Sequence, residues 1–227
     1  MTHATARLRS FSIPQIAAMI LPLLLIPIMA AVFVGFNQQF GAPLGYLLSM
    51  VVYWVIWCTV IPLALLGGWR AFAELFRPMP PLPSMGWQTN LLLWWPVIFP
   101  LAFIFIPRAA STPQVILAAS VVIGIIIGVT EEVLWRGVYL RLFPNNGWLN
   151  LIYPSVMFAL WHVAPQTVVV NRMPGGVFSF VAYALMLGLT YSVSARRTGS
   201  IAWPTVAHIV HDSLGIGAAM YAVWLVG

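Results

Sequence analysis

Long apolar runs alternate with short polar or proline-containing connectors along almost the whole chain. A helix of about 20 apolar residues is long enough to cross the hydrocarbon core of a bilayer. Seven runs of this kind predict the membrane spans Ile13–Gly35, Leu44–Leu66, Leu91–Ile106, Val115–Leu140, Leu149–Val163, Val177–Val193 and Ile201–Val226. The last run is predicted as one helix or as two helices broken near Gly215 and Gly217, so the predicted number of spans is seven or eight.

The longest predicted connector, Gly67–Gln88, is polar and rich in proline. Its segment 78–83 reads Pro-Met-Pro-Pro-Leu-Pro, a sequence that favours an extended, polyproline-like backbone. No internal repeat, low-complexity segment or second domain is visible. We therefore expect a single integral-membrane domain over residues 1–227.

The composition agrees with a membrane protein, because 62% of the residues are hydrophobic and only 6% are charged. A soluble domain would carry far more charge on its surface. We therefore expect an all-α, polytopic helical bundle surrounded by membrane lipid, in the bacterial cell membrane if the source is prokaryotic. The single cysteine, Cys58, lies inside an apolar run, so an intrachain disulfide is excluded.

The net charge of +6 comes from ten arginines and no lysine, placed singly or in pairs between the apolar runs. This pattern differs from the clustered basic face of a nucleic-acid-binding protein, and we expect no nucleic-acid partner. With seven spans, one side of the membrane has Arg7, Arg9, Arg70, Arg77, Arg141, Arg196 and Arg197, and the other has Arg108 and Arg172. The positive-inside rule then predicts a cytoplasmic amino terminus.

Three of the four acidic residues fall within predicted spans: Glu131 and Glu132 in the fourth, and Asp212 in the last. A charge at the centre of a membrane helix costs about 2.5–3.5 kcal/mol on insertion scales, so such residues are usually paired, face inward and serve a function. His162 and His208 are predicted at a similar depth to Glu131, about 11–20 Å below the cytoplasmic surface at 1.5 Å per residue. These residues are the first candidates for a site.

The spacing of the polar residues suggests how they are paired. Glu132 and Arg136 are separated by four residues, which predicts an ion pair along one helix face. Glu131 points about 100° away from Glu132, has no such partner in its own helix, and is the better candidate for a general base. His208 and Asp212 have the same four-residue spacing, so the carboxylate can orient the imidazole.

Three motifs follow one another over about 80 residues: Glu131-Glu132-x-x-x-Arg136, Phe158-x-x-x-His162 and His208-x-x-x-Asp212. Together they resemble the signature of the CPBP intramembrane proteases, which include the type II CAAX prenyl endopeptidases and the bacterial Abi proteins. The resemblance implies an endopeptidase, of the CAAX-protease or bacteriocin-processing type, that hydrolyses a peptide bond with a Glu/His-activated water. Its substrate would be a peptide or a membrane-associated protein.

The resemblance also implies a role for each motif residue. Glu131 and His162 would activate the water, His208 and residue 212 would stabilise the oxyanion, and Glu132 with Arg136 would hold the site in shape. The family often has asparagine at the position of Asp212. An asparagine amide donates a hydrogen bond, whereas an ionised Asp212 only accepts one. Asp212 would then orient and charge His208, or be held protonated by its burial.

We expect no cofactor, although a zinc ion is a possible alternative. No H-E-x-x-H sequence is present, so the usual zinc-protease signature is missing, and so is the G-x-S-x-G sequence of many serine hydrolases. If zinc were bound, its ligands would be Glu131, His162 and His208.

Two other classes of function fit parts of this pattern. An ion-coupled carrier would use the acids and histidines to relay protons, but it would place them along a pathway that opens to both faces of the membrane, and the chain has no inverted repeat. A non-catalytic immunity or binding protein could keep the same scaffold without cleaving anything. The simpler interpretation of the charged residues is a structural ion network, and the simpler one for His211 and Cys58 is packing.

Overall fold

The computed structural model describes residues 10–170 and 175–220 of the chain. These residues form eight helices, numbered here α1 to α8: Ile13–Phe40, Leu44–Leu66, Trp69–Glu74, Trp87–Arg108, Gln114–Leu142, 148–161, Gly176–Thr198 and Ala202–Met220. Short 3-10 turns occupy Leu82–Met85 and Pro165–Thr167. The described residues contain no β-strand, which confirms the all-α class.

Five of these helices, α1, α2, α4, α5 and α7, are long and apolar enough to cross a membrane. Many of their large apolar side chains are exposed, for example Leu23 on α1, Val55 on α2 and Val122 on α5. Apolar side chains on the outside of a helical bundle are suited to contact with lipid tails. The chain is therefore an integral membrane protein built as a helical bundle.

The seven predicted spans correspond to α1, α2 and α4 to α8, but most of the helices extend beyond the predicted bounds. The bounds of α2 are as predicted, whereas α1 continues from Gly35 to Phe40 and α7 continues from Val193 to Thr198. An apolar run ends at the first polar residues, but a helix continues until its backbone is broken. Here the residues that follow the two helices are Gly41 and Gly199, with φ of 72° and 68°, a region that favours glycine.

The alternative of a broken last span is wrong for the described residues. α8 runs without interruption from Ala202 to Met220, through both Gly215 and Gly217. The prediction of an extended segment at 78–83 is wrong for its last two residues. The backbone lacks regular structure from Arg77 to Pro81, but Leu82 and Pro83 belong to a 3-10 turn.

The connector between α2 and α4 is attached to the beginning of α8. The Trp203 indole N–H donates to the Pro80 carbonyl oxygen at 2.7 Å, and the Ile201 backbone N–H donates to the Leu75 carbonyl oxygen at 2.9 Å. The Ser200 hydroxyl donates to the same Leu75 oxygen at 3.2 Å. These bonds fix the first turn of α8 against the connector.

Small residues allow α5 and α8 to pack backbone against backbone. An added Cβ at Gly124 would lie 3.1 Å from the carbonyl oxygen of Ile209, and one at Gly128 would lie 2.8 Å from the backbone nitrogen of Ile209. The Ser120 hydroxyl, four residues before Gly124, donates to the Ser213 carbonyl oxygen at 3.0 Å. Small residues at a spacing of four are a common interface between membrane helices. The contact brings the segment of α5 with Glu131 and Glu132 beside the middle of α8.

A second close contact holds α6 against α7. An added Cβ at Gly188 would lie 3.0 Å from the Cα of Ser155, and the hydroxyls of Ser155 and Ser192 are 3.2 Å apart. Phe158 and His162 follow Ser155 along the chain by three and seven residues. Glycine and serine thus also fix the segment that carries the second motif.

Substitution of Gly128 by alanine tests the contact between α5 and α8. The new methyl group would meet the Ile209 backbone, and overpacking of this kind costs about 1–3 kcal/mol. Cys58 is the only cysteine and is fully buried, so a thiol-reactive dye should label it only when the protein unfolds. We expect Gly128→Ala to lower the midpoint temperature of labelling.

Gly35→Ala is the matched control, because a Cβ at this position in α1 has nothing within 4 Å. Alanine has a higher helix propensity than glycine, so this variant should melt at the same temperature or higher. If the two variants had equal midpoint temperatures of labelling, the close packing of α5 on α8 would not be important for stability.

Candidate active site

The motif residues on α5 and α8 meet around the buried imidazole of His208. Its Nδ1–H donates to Oε1 of Glu132 at 2.8 Å. Its Nε2 lies 3.5 Å from Oδ2 of Asp212 and 3.8 Å from Oε2 of Glu131. All four residues are at most 7% exposed. Three carboxyl groups from two helices therefore surround one imidazole.

Glu132 and Arg136 form the ion pair that their spacing predicts. Nη1 of Arg136 lies 2.9 Å from Oε1 of Glu132, the same oxygen that accepts from His208, and neither side chain is more than 1% exposed. The backbone changes from α-helical to π-helical directly after Glu132, over Val133–Gly137, and such segments are frequent at functional sites. The guanidinium also lies 4.4 Å from the centre of the Phe158 ring. Glu132 thus joins the ion pair to the imidazole.

His162 lies just beyond α6, which ends at Trp161, and not inside a membrane-spanning helix as predicted. Pro165, three residues later, cannot continue a helical hydrogen-bond pattern. Nδ1 of His162 is 2.7 Å from the Phe158 carbonyl oxygen. Because a carbonyl only accepts, Nδ1 carries a proton, and in the neutral ring Nε2 has the free lone pair.

The ring of Phe158 connects the two motif histidines. It packs edge-to-face against His162, with 4.6 Å between ring centres, and against His208, with 6.3 Å. Phe158 itself is 1% exposed and belongs to the main core cluster. Phe158 thus contacts the guanidinium and both imidazoles, which makes it part of the site wall.

His211 is more than the packing residue that the sequence analysis predicts. Its Nδ1 is 2.8 Å from Oδ1 of Asp212, and its Nε2 is 2.8 Å from the hydroxyl of Tyr183 on α7. The Tyr183 hydroxyl also donates to the Pro96 carbonyl oxygen on α4 at 3.1 Å. Asp212 can serve both histidines because it turns one carboxyl oxygen towards each. Its shorter contact is with His211, and Glu132 makes the shortest contact with His208.

Buried aromatic residues outside the motifs complete the site. The Trp135 indole N–H donates to the Tyr53 hydroxyl at 2.8 Å, and Tyr53 stacks on Trp161 with 3.8 Å between ring centres. Tyr191 lies 5.5 Å from the His208 ring. In the sequence these residues cannot be told apart from the many other aromatic residues of the apolar runs. Their position becomes visible only when the helices are packed.

Glu131, His162 and His208, the ligands expected for zinc, do not form a metal-binding group. Within residues 10–170 and 175–220, no three His, Cys, Asp or Glu side chains are arranged to hold a metal ion. Nδ1 of each of these histidines is already bonded, to the Phe158 carbonyl and to Glu132 respectively.

A cleft of about 860 Å³ lies apart from the motif residues. It is lined by the connector, the first turn of α4 and the end of α7, including Pro80, Trp87 and Arg197. Since none of the motif residues lines it, the cleft does not belong to the candidate site.

Residues 113–214 match the family model described as type II CAAX prenyl endopeptidase Rce1-like. This stretch is similar to that family and is called the Rce1-like region. It begins one residue before α5, ends within α8 and contains all seven motif residues, which confirms the resemblance to the CPBP intramembrane proteases. No curated protein and no solved structure matches the chain.

The ion pair of the Rce1-like region can be tested by the substitution Arg136→Met. Removing one partner of a buried pair leaves the other charge without compensation, which costs about 3–5 kcal/mol. Glu132 keeps its bond to His208, so we expect a loss near the lower end of this range, measured as the free energy of unfolding by labelling of Cys58.

Arg141→Met is the matched control on the same helix. Arg141 is exposed, and its contact with Glu74 is 3.5 Å long. Exposed pairs of this kind contribute about 0–1 kcal/mol. If both variants unfolded with the same free energy, the Glu132–Arg136 pair would not be the structural link that its burial indicates.

Proposed function

We propose that this protein is an intramembrane endopeptidase that hydrolyses a peptide bond with a water activated by Glu131 and His162. The observation that carries the proposal is the cluster around His208 in the Rce1-like region, where three buried carboxyl groups surround one imidazole and a buried guanidinium pairs with one of them. Several charges inside a membrane bundle are costly, and such groups usually serve function.

Glu131 is the general base in this mechanism. Oε2 of Glu131 lies 3.8 Å from Nε2 of His208, which is longer than a hydrogen bond, so the two groups are not bonded directly and the proposed water stands between Glu131 and the substrate. It takes a proton from the water as the water oxygen attacks the carbonyl carbon of the peptide. His162 accepts the second hydrogen bond of the water through Nε2, its ring nitrogen with the free lone pair. When the C–N bond breaks, Glu131 returns the proton to the amine.

His208 is the donor to the oxyanion, through an Nε2–H group. Its Nδ1–H is held by Glu132, so donation from Nε2 requires the imidazolium form, and the carboxyl groups around the ring stabilise that charge. Arg136 holds Glu132 in place and keeps the ring from turning. A donor fixed in direction before the reaction is what stabilisation of an oxyanion requires.

The substrate would be a peptide or a membrane-associated protein that reaches the site from the arginine-rich side of the bundle, which we propose is cytoplasmic. The description of the family model makes a prenylated peptide with a CAAX-type tail the first substrate to try. A peptide with a fluorophore and a quencher on either side of the cleavage site reports hydrolysis directly.

Glu131→Gln tests the mechanism. The amide has nearly the same shape but cannot accept the proton of the water, and loss of a general base lowers the rate about 100- to 10,000-fold. We expect this loss in kcat for the prenylated peptide. The midpoint temperature of Cys58 labelling should stay close to that of the wild type.

Glu74→Gln is the control, because Glu74 lies on the exposed connector helix α3 and contacts only Arg70 and Arg141 among the described ion pairs. It should cleave like the wild type. Full cleavage by Glu131→Gln would refute the role of Glu131. Peptide that binds equally well to both proteins and is cleaved by neither would indicate the non-catalytic binding protein instead.

Chelation tests whether the proposed reaction needs a metal. In the proposal the water is activated by side chains alone, so 1,10-phenanthroline should leave kcat within about twofold of its value, and the purified protein should hold less than one zinc per chain. Loss of activity on chelation that is restored by added zinc would replace the proposed water activation with a metal-dependent one.

A further inference from the structure

A chain of hydrogen bonds begins at Asp212, beside His208, and connects three helices. It runs from Asp212 to His211 on α8, from His211 to Tyr183 on α7, and from Tyr183 to the Pro96 carbonyl on α4. None of the roles proposed above uses His211 or Tyr183. Both are polar groups directed at one another inside the bundle, which is costly unless each proton has an acceptor.

The carbonyl of Pro96 determines where the Tyr183 proton points. In an α-helix this carbonyl would accept from the N–H of residue 100, but residue 100 is also a proline and has no N–H. The Tyr183 hydroxyl donates to this carbonyl instead. A hydroxyl has one proton, so towards His211 the Tyr183 oxygen can only accept, and Nε2 of His211 must be the donor.

The position of this proton constrains the pair His211 and Asp212. Nε2 of His211 thus carries one proton. A second proton lies in the hydrogen bond between Nδ1 of His211 and Oδ1 of Asp212. If the proton is on the histidine, the pair is an imidazolium and a carboxylate; if it is on the aspartic acid, both groups are neutral. The pair has no net charge in either form.

We propose that His211 and Tyr183 are positioning residues that make Asp212 part of a charge-neutral pair with one oxygen free for His208. Oδ1 is bound to His211, and Oδ2 lies 3.5 Å from Nε2 of His208. With this pair neutral, the remaining charges of Glu131, Glu132, Arg136 and an imidazolium at His208 cancel. His211 thereby lets an aspartic acid stand beside His208 without adding a buried negative charge.

A double-mutant cycle tests this inference, which rests on the proposed function. His211→Phe keeps a ring packed beside Tyr183 but removes both nitrogens. We expect kcat for the prenylated peptide to fall about 10- to 100-fold with KM unchanged, as for other outer-shell partners of a site. In an Asp212→Asn background the same change should cost less than about threefold, because asparagine is neutral without a proton-sharing partner.

If His211 only filled space, its substitution would have the same effect in both backgrounds, and additive losses would overturn the proposal. Tyr183→Phe should reproduce the kcat loss of His211→Phe in part. Tyr153→Phe is the matched control, because the Tyr153 hydroxyl donates to the Met19 carbonyl oxygen, away from His208. It should leave kcat and KM unchanged.

Nitrogen NMR of the histidines tests the same inference without any substrate. The chain contains only four histidines, at positions 3, 162, 208 and 211, so single substitutions assign their signals. We expect Asp212→Asn to shift the ring nitrogens of both His208 and His211, and Tyr183→Phe to shift those of His211 while His162 stays in place. Unchanged His211 signals in both variants would refute the network, even if the wild type cleaved the peptide. Shifted signals would support it even if no peptide were cleaved.

Discussion

The backbone contact between α5 and α8 is the constraint on which the site depends. Glu131, Glu132 and Asp212 can surround one imidazole only if the two helices lie nearer to each other than larger side chains allow. Gly124 and Gly128 supply that space, and the Ser120 hydroxyl bonds to α8 in the same row. Lipid does not drive apolar helices together, so close packing of small residues is a main source of attraction between them.

The charges of the site are stable because they form one connected set. Glu132 accepts from His208 and forms an ion pair with Arg136, and Asp212 contacts both His208 and His211. Inside a bilayer an isolated charge is costly, so each group must bring a partner within reach. The network that holds the protein together and the network that would carry out hydrolysis are therefore the same atoms.

The sequence was sufficient to predict those parts of this arrangement that depend on a single helix or on composition. It gave the helical class, the seven helical segments that fill the bundle and the pair of Glu132 and Arg136, since a spacing of four residues fixes neighbours on a helix. It also expected Glu131 and His208 at a similar depth, and they lie 3.8 Å apart.

The parts that remained hidden depend on helices that are distant in the chain. His211 meets Tyr183 and, through it, Pro96, which come from α8, α7 and α4, and no spacing in one segment shows this. The ends of α1 and α7 were also misjudged, because the predicted spans stopped where polarity rises while these two helices continue to Gly41 and Gly199. The row of Ser120, Gly124 and Gly128 has the spacing of an interface between membrane helices, but the spacing does not show which helix meets it.

The attachment of the connector to α8 gives the site a mechanical property. His208 lies five residues after Trp203, little more than one turn of helix, and Trp203 is tied to the Pro80 carbonyl. Within the bundle, Gly128 of α5 packs against the backbone of the same helix at Ile209, one residue beyond His208. The histidine is thus clamped between two anchors, one in the loop region and one among the helices. A helix that is held at two points cannot shift along its axis. The position of the imidazole along that axis therefore depends on the proline-rich connector as well as on the core.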